Sequence, residues 1–192
     1  MKKQLAFIFA LTILGTSLFA QRDETLIGKT GLKLTGAWGG AHIGMVGFDG
    51  GNSALGGGFF GLEFSKSLFL GYMGSSGSAS TTYNGNKRNY DIEYGGFLVG
   101  YAYKPYKVIH PRVNFLMGSG SLKVKDKPDD YIFVVQPSAG VEVNVFRWFR
   151  LGLEGGYRFV SNTDLPKPND GDVSAAFAQL SFRFGWSWGK GY

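Results

Sequence analysis

The sequence predicts an all-β protein, an eight-stranded antiparallel up-and-down transmembrane β-barrel, and three observations lead there. Of 192 residues, 31 are Gly, accompanied by 17 Phe, 10 Tyr and 4 Trp. Against an average of about 7% Gly, this composition lowers helix propensity and suits close-packed strands, tight turns and membrane interfaces. Apolar and polar residues alternate with period two through most of the chain, the pattern of strands with two unlike faces. Short and long connections alternate between those segments, which describes a meander with both ends on the short-turn side. With 44% hydrophobic and 18% charged residues, the chain is neither disordered nor a helical membrane protein.

Residues 1–20 differ in kind from the rest. Met1-Lys2-Lys3 is a basic start, Leu5 to Leu14 is almost uninterrupted apolar, and Ser17-Leu18-Phe19-Ala20 ends small before the polar Gln21-Arg22-Asp23-Glu24. This is the layout of a cleaved secretory signal peptide, with 21–192 as the barrel domain. An N-terminal membrane anchor is the competing reading, but the run is short for spanning. Loss of Lys2 and Lys3 lowers the net charge of +6 by two. The remaining excess is spread along the chain, which argues against nucleic acid as a partner. With no Cys, disulfides, thiol catalysis and thiolate metal sites are all excluded.

Strands are expected near 31–43, 55–64, 67–78, 89–103, 109–122, 131–145, 149–160 and 174–188. The first three follow the alternation template, with the short turn Ser65-Lys66-Ser67 between the second and third. The fourth changes phase at Gly95-Gly96, because Tyr90, Ile92 and Tyr94 do not continue into Phe97, Val99 and Tyr101; a bulge is expected there. Lys104-Pro105-Tyr106-Lys107 turns into the fifth strand. Pro111 and Pro137, in the fifth and sixth, lack a ladder N–H and are assigned to rims or bulges. In the sixth, Val141, Val143 and Val145 oppose Glu142 and Asn144. After the turn Phe146-Arg147-Trp148, the seventh sets Leu151, Leu153, Tyr157 and Phe159 against Arg150, Glu154 and Arg158. The eighth, from Ala176 to Trp188, is apolar at every even position. Long polar loops are expected over 48–54, 75–88, 123–130 and 161–173, with a type I′ hairpin signal at Asn84-Gly85 in the second.

Period alone does not say which face points outward; residue size and lysine placement do. A soluble barrel would carry Lys, Glu and Thr on wet strand exteriors, yet of the lysines beyond the signal only Lys33 lies well within an expected strand. The polar face consists of Gly, Ser, Asn, Gln and a few charges, which suits the narrow bore of eight strands. The bulky apolar face is therefore expected to meet lipid. Tyr90, Tyr103, Trp148, Phe149, Trp186 and Trp188 sit toward strand ends, like the aromatic girdles of membrane interfaces.

The segments Leu55 to Phe64, Gln136 to Val145, Leu151 to Val160 and Ser181 to Gly185 resemble small outer-membrane β-barrel proteins of Bacteroidetes-type bacteria. More distantly, the chain is similar to the OmpX and OmpA barrel class. The resemblance implies a bacterial outer-membrane location with both mature termini periplasmic. It also implies contact with outer-membrane lipid and lipopolysaccharide, insertion by the barrel-assembly machinery, and no cofactor. The chain ends soon after the eighth strand, so the peptidoglycan-binding domain of OmpA is not expected. Trp186-Ser187-Trp188 with Tyr192 is similar to the aromatic assembly signal.

The inward charges Glu63, Asp91, Glu93, Arg112, Glu142, Glu154, Arg158 and Arg183 are expected to form an Arg–carboxylate network, because an isolated buried charge costs several kcal/mol. A structural plug is the reading preferred over a gate or ion path. Lipid A-modifying barrels pair His with Ser and an acid, but neither His42-Ile43-Gly44 nor His110-Pro111-Arg112 offers the His-x-Ser spacing, so no enzyme is expected. Gly56 to Gly61 matches G-x-G-x-x-G without the strand-before, helix-after context. Asn169-Asp170-Gly171-Asp172 and Asp126 with Asp129-Asp130 lack the twelve-residue calcium pattern and read as turns. The expected role is structural or surface-interacting, through loop residues such as Tyr83, Asn84 and Asp130. A narrow ion or small-solute channel and a lipid A-modifying enzyme stand as alternatives.

Overall fold

The structure, a computed structural model, describes residues 32–48, 51–83, 86–124, 130–162 and 170–188. The chain divides into two units, 1–33 and 34–192, and the expected signal peptide lies outside the described residues. The second unit is built from β1 (Leu34–Phe48), β2 (Gly51–Phe64), β3 (Leu68–Tyr83), β4 (Asn86–Ala102), β5 (Ile109–Val124), β6 (Asp130–Phe146), β7 (Phe149–Ser161), the single helical turn α1 (Asp170–Val173) and β8 (Ala175–Ser187). Each strand pairs antiparallel with the next, and β1 closes the barrel on β8 from Gly36↔Ser187 to Val46↔Phe177. Closure leaves no free sheet edge, so every strand has a ladder on both sides.

The short turns 65–67, 103–108 and 147–148 lie at one end, together with the start of β1 and the end of β8. At the far end two of the expected long loops are strand instead. β1 and β2 pair up to Phe48↔Gly51, and β3 and β4 up to Tyr83↔Asn86. Asn84, Gly85 and the expected loop residues 125–129 lie outside the described residues. The serines and glycines of 75–80 read as loop because they offer no bulky face, yet the ladder to β4 holds them extended.

All eight strands turn apolar side chains outward: Ile43, Phe60, Leu70, Phe97, Phe115, Val141, Leu153 and Phe184 are exposed, one from each. On β3, β4 and β5 the polarity of the two faces then inverts. Toward the far end the outward positions become Ser76, Ser78, Asp91, Glu93, Ser119 and Ser121, while Tyr90, Ile92, Tyr94 and Leu122 turn into the barrel. The expected bulge at Gly95-Gly96 is absent. The pairing runs unshifted from Tyr90↔Val124 to Ala102↔Arg112, and the even positions of β4 from Tyr90 to Ala102 stay inward. What changes at these glycines is which face is apolar.

Pro111 sits two residues into β5, at the rim. Pro137 is mid-strand and unbulged: it faces Phe115 in an unshifted ladder. Toward β7 the pairing passes from Val135↔Phe159 to Ser138↔Gly156 in constant register, with no pair at Pro137, which places its missing N–H where no bond is made.

Inside, Trp38, Phe59, Phe69, Met73, Leu98 and Leu116 fill the middle of the bore, and Tyr90, Ile92, Leu122, Ile132, Val134, Val160 and Val173 fill the far end. The interior therefore holds large apolar groups as well as the small polar ones the sequence suggests. Phe69 shows how they fit. A Cβ on Gly61 would lie 2.7 Å from Phe69 Cζ, and one on its partner Gly71 2.9 Å from Phe69 Cε1, so the two glycines make the floor on which the ring lies. A Cβ at position 71 would also press on the Phe60 carbonyl across the ladder, so Gly71→Val is expected to shift both the β2–β3 backbone and the ring and cost about 1–3 kcal/mol of overpacking, read as a shifted urea midpoint of the folded barrel in vesicles.

Candidate functional site in the barrel interior

The strand alternation delivers charged side chains to one closed space, and Glu142 on β6 is its centre. Its carboxylate accepts from Arg183 Nη1 at 2.9 Å, Arg112 Nη1 at 3.2 Å and Arg150 Nη1 at 3.4 Å, and pairs with His110 Nε2 at 3.2 Å. Arg150 Nη1 also donates to Glu63 Oε2 at 3.2 Å, while Ser187 Oγ donates to Glu63 Oε1 at 2.5 Å. The network lies near the short-turn end, drawing on β2, β5, β6, β7 and β8. Glu63, Glu142 and Arg183 are each buried to within 3% of full burial. In so dry a place an unpaired charge would cost several kcal/mol, and reciprocal pairing offsets that penalty.

Aromatic faces complete the solvation. The Arg183 guanidinium sits 4.7 Å from the Phe69 ring centre, 5.6 Å from Trp38 and 5.8 Å from Phe59, and Arg150 lies 3.9 Å over Trp38. Ring quadrupoles attract such cations, the more so when they are desolvated. The apolar residues of the bore thus serve the charges directly.

Glu154 has neutral partners: Asn114 Nδ2 at 2.6 Å, Ser138 Oγ at 2.7 Å and Gln179 Nε2 at 2.8 Å donate to it. Arg158 stands apart at the far end, fully buried, over the Tyr94 ring at 5.6 Å and donating through Nη2 to the Val173 carbonyl at 2.9 Å. It thereby fastens α1 over the far mouth, helped by Ser174 Oγ, which accepts from the Val160 N–H at 2.8 Å.

Asp91 and Glu93 do not enter the bore. They are exposed on the outward face of β4, where Ser78 Oγ donates to Asp91 at 2.6 Å and Lys123 Nζ reaches Glu93 at 3.0 Å. The reason is the inversion of β4: Tyr90, Ile92 and Tyr94 take the inward positions. For the same reason Tyr90, 1% exposed, is an interior residue and not an interface aromatic. Tyr103, Trp148, Trp186 and Trp188 are exposed and Phe149 half-buried around the short-turn end. Trp148 stacks on Phe146 at 5.5 Å and on Phe184 at 6.3 Å. Sequence reasoning left Arg150 and His110 out of the network. For Arg150 a signal existed, because it shares a strand face with Glu154 and Arg158; the pairing of His110 with Glu142 joins residues 32 apart and has no local signature.

His42 Nε2 and Ser75 Oγ lie 2.8 Å apart in the interior, but His42 Nδ1 has no hydrogen-bond partner among the described residues. The pair therefore lacks the acid that would orient the ring for nucleophilic chemistry. A void among Phe59, Arg112, Gln136, Glu154 and Arg183 measures about 20 Å³, room for a single water. At the short-turn mouth a vestibule of about 1060 Å³ opens between Lys66, Tyr106, Asn144, Arg147, Arg150 and Trp186.

No protein-family model and no curated protein sequence matches the chain. Solved structures do. Neisserial surface protein A covers 82% of this chain, and the chain 99% of it, at 10% identity and a TM-score of 0.58. Ail, the attachment invasion locus protein of Yersinia pestis, in complex with the heparin analogue sucrose octasulfate, matches at 14% identity over 79% of this chain and 97% of that one, TM-score 0.51. The N-terminal β-barrel domain of Pseudomonas aeruginosa OprF matches at 11% identity over 80% and 98%, TM-score 0.52. The fold is that of small outer-membrane barrels. At such identities the likeness concerns backbone architecture, and the interior network of this barrel rests on its own residues.

Proposed function

We propose that the chain is a small integral outer-membrane barrel with a plugged lumen, serving the bacterial envelope structurally or through its surface. The observation that carries this reading is the outward apolar belt, continuous over eight strands of a closed barrel, with Glu63, Arg112, Glu142, Arg150, Glu154 and Arg183 turned inward behind it. In lipid every backbone group must be paired internally, and closure achieves that. The strands run 13 to 17 residues, beyond the roughly 9–11 that cross a bilayer. The inverted ends of β3, β4 and β5 then stand clear of the lipid in water. Export follows from a signal peptide cleaved after Ala20, leaving both mature termini on the periplasmic side. Lipopolysaccharide and phospholipid surround the barrel, and the assembly machinery inserts it.

The surface role draws support from the neighbours: one is by title a surface protein, and another was crystallised with a heparin analogue. A ligand for the far end of this barrel is the corresponding proposal, with no enzymatic step and no cofactor. Outer-membrane fractionation with heat-dependent gel mobility tests the placement, and N-terminal sequencing of the mature protein tests the cleavage. In planar bilayers the purified protein is expected to show no ion-conducting steps, because the network and the apolar far end fill the bore. Stable conductance altered by Arg158→Ala would replace the plug with a channel. A change in lipid A mass on overexpression, abolished by His42→Ala, would make the protein an enzyme.

A further inference from the structure

We propose that the short-turn rim is a binding collar for the phosphate groups of anionic glycerophospholipids. This rests on the membrane placement argued above and adds a lipid class and the residues that hold it. The three turns of this end carry Lys66, Lys104 with Lys107, and Arg147, and none of them contains Asp or Glu. Lys104, Lys107 and Arg147 are exposed. Among the described residues, the carboxylates on the strand ends of this rim, Glu63 and Glu142, are buried and already shared among Arg112, Arg150 and Arg183, which leaves Lys104, Lys107 and Arg147 as its exposed cations. The far end differs, with Asp91, Glu93 and Lys123 mixing both signs on the outside.

A further feature fits a headgroup layer. Exposed aromatic rings stand among the cations: Tyr103 beneath Lys104 Nζ at 4.9 Å, Tyr106 in the same turn, and Trp148 next to Arg147. Amphipathic rings settle where acyl chains meet headgroups, which puts their cationic neighbours at phosphate depth.

The test folds the protein into phosphatidylcholine vesicles containing a fraction of brominated phosphatidylglycerol or, separately, brominated phosphatidylcholine, and reads quenching of tryptophan, three of whose four copies (Trp148, Trp186, Trp188) lie at this rim. Wild type is expected to be quenched preferentially by the anionic lipid at low salt, with the preference shrinking as salt screens it. Each basic residue near a charged surface is worth up to about fivefold in binding. The triple variant Lys104→Gln, Lys107→Gln, Arg147→Gln should thus lose most of the preference, while Lys123→Gln at the far end keeps it. Equal quenching by the two lipids in wild type, or a triple variant as selective as wild type, overturns the collar. Wild-type binding to cell-wall sacculi that the triple variant loses, with equal lipid quenching, overturns it in favour of a wall polymer. A protein that no brominated lipid quenches has not inserted, and that result removes the membrane placement along with the collar.

Discussion

Glu142→Ala is expected to cost the folded barrel about 3–5 kcal/mol, the penalty of stranding buried partners when one member of an ion cluster is removed. Three guanidinium groups and His110 converge on this one carboxylate, and Arg183 is 2% exposed, beside a void with room for no more than a single water. Its Nε and Nη2 already lack hydrogen-bond partners among the described residues and depend on the surrounding rings, so the carboxylate is its principal compensation. Urea unfolding in lipid vesicles, followed by tryptophan fluorescence and heat-dependent mobility, reads the loss. Trp38, stacked under Arg150 at 3.9 Å, reports locally. Pairing Glu142→Gln with Arg183→Met should recover part of the stability, because a cation and its compensation leave together. A loss under about 1 kcal/mol for Glu142→Ala would mean that water reaches the network and that the bore is open at this end.

The parts of this molecule legible in its sequence are those that strand period and turn chemistry control. Eight strands, the short turns around Lys66, Lys104 and Arg147, and the closure of first strand on last follow from alternation and connection length alone. The outer halves of β3, β4 and β5 did not follow, and Asp91, Glu93 and Tyr90 show why. Bulky residues mark the outer face only where the surroundings are lipid. On the proposed membrane placement, water lies outside past that boundary, the apolar residues move inward as in any soluble protein, and the same alternation takes the opposite meaning. The period registers the switch on β4 as a change of phase at Gly95-Gly96, but a bulge gives the same change of phase, so the pattern alone does not tell the two apart. Arg112 and Arg183 were legible as inward charges of one network with Glu142, whereas His110 was out of reach, because it meets Glu142 only through the pairing of β5 with β6.

That reading of the inversion makes the position of an added charge along the outer wall decisive. Leu153 lies on the outward face of β7, 58% exposed and paired with Val141 and Leu180, within the apolar belt. Leu153→Arg is expected to cost about 2–4 kcal/mol near the bilayer midplane, measured by the same vesicle unfolding. Ser76 is also outward and exposed, on β3 beyond the point of inversion. Ser76→Arg should therefore stay within about 0.5 kcal/mol of wild type, as exposed substitutions in water do. Ser181→Ala, inside the bore against Gly152, removes one hydroxyl and no apolar surface, and a comparably small change is expected. Equal costs at Leu153 and Ser76 would place both in one solvent, and the polar ends of β3 to β5 would then need an explanation other than emergence from the membrane. A silent Leu153→Arg with a costly Ser181→Ala would reverse the assignment of the two faces, because an arginine without a partner is tolerated only on the side that water wets.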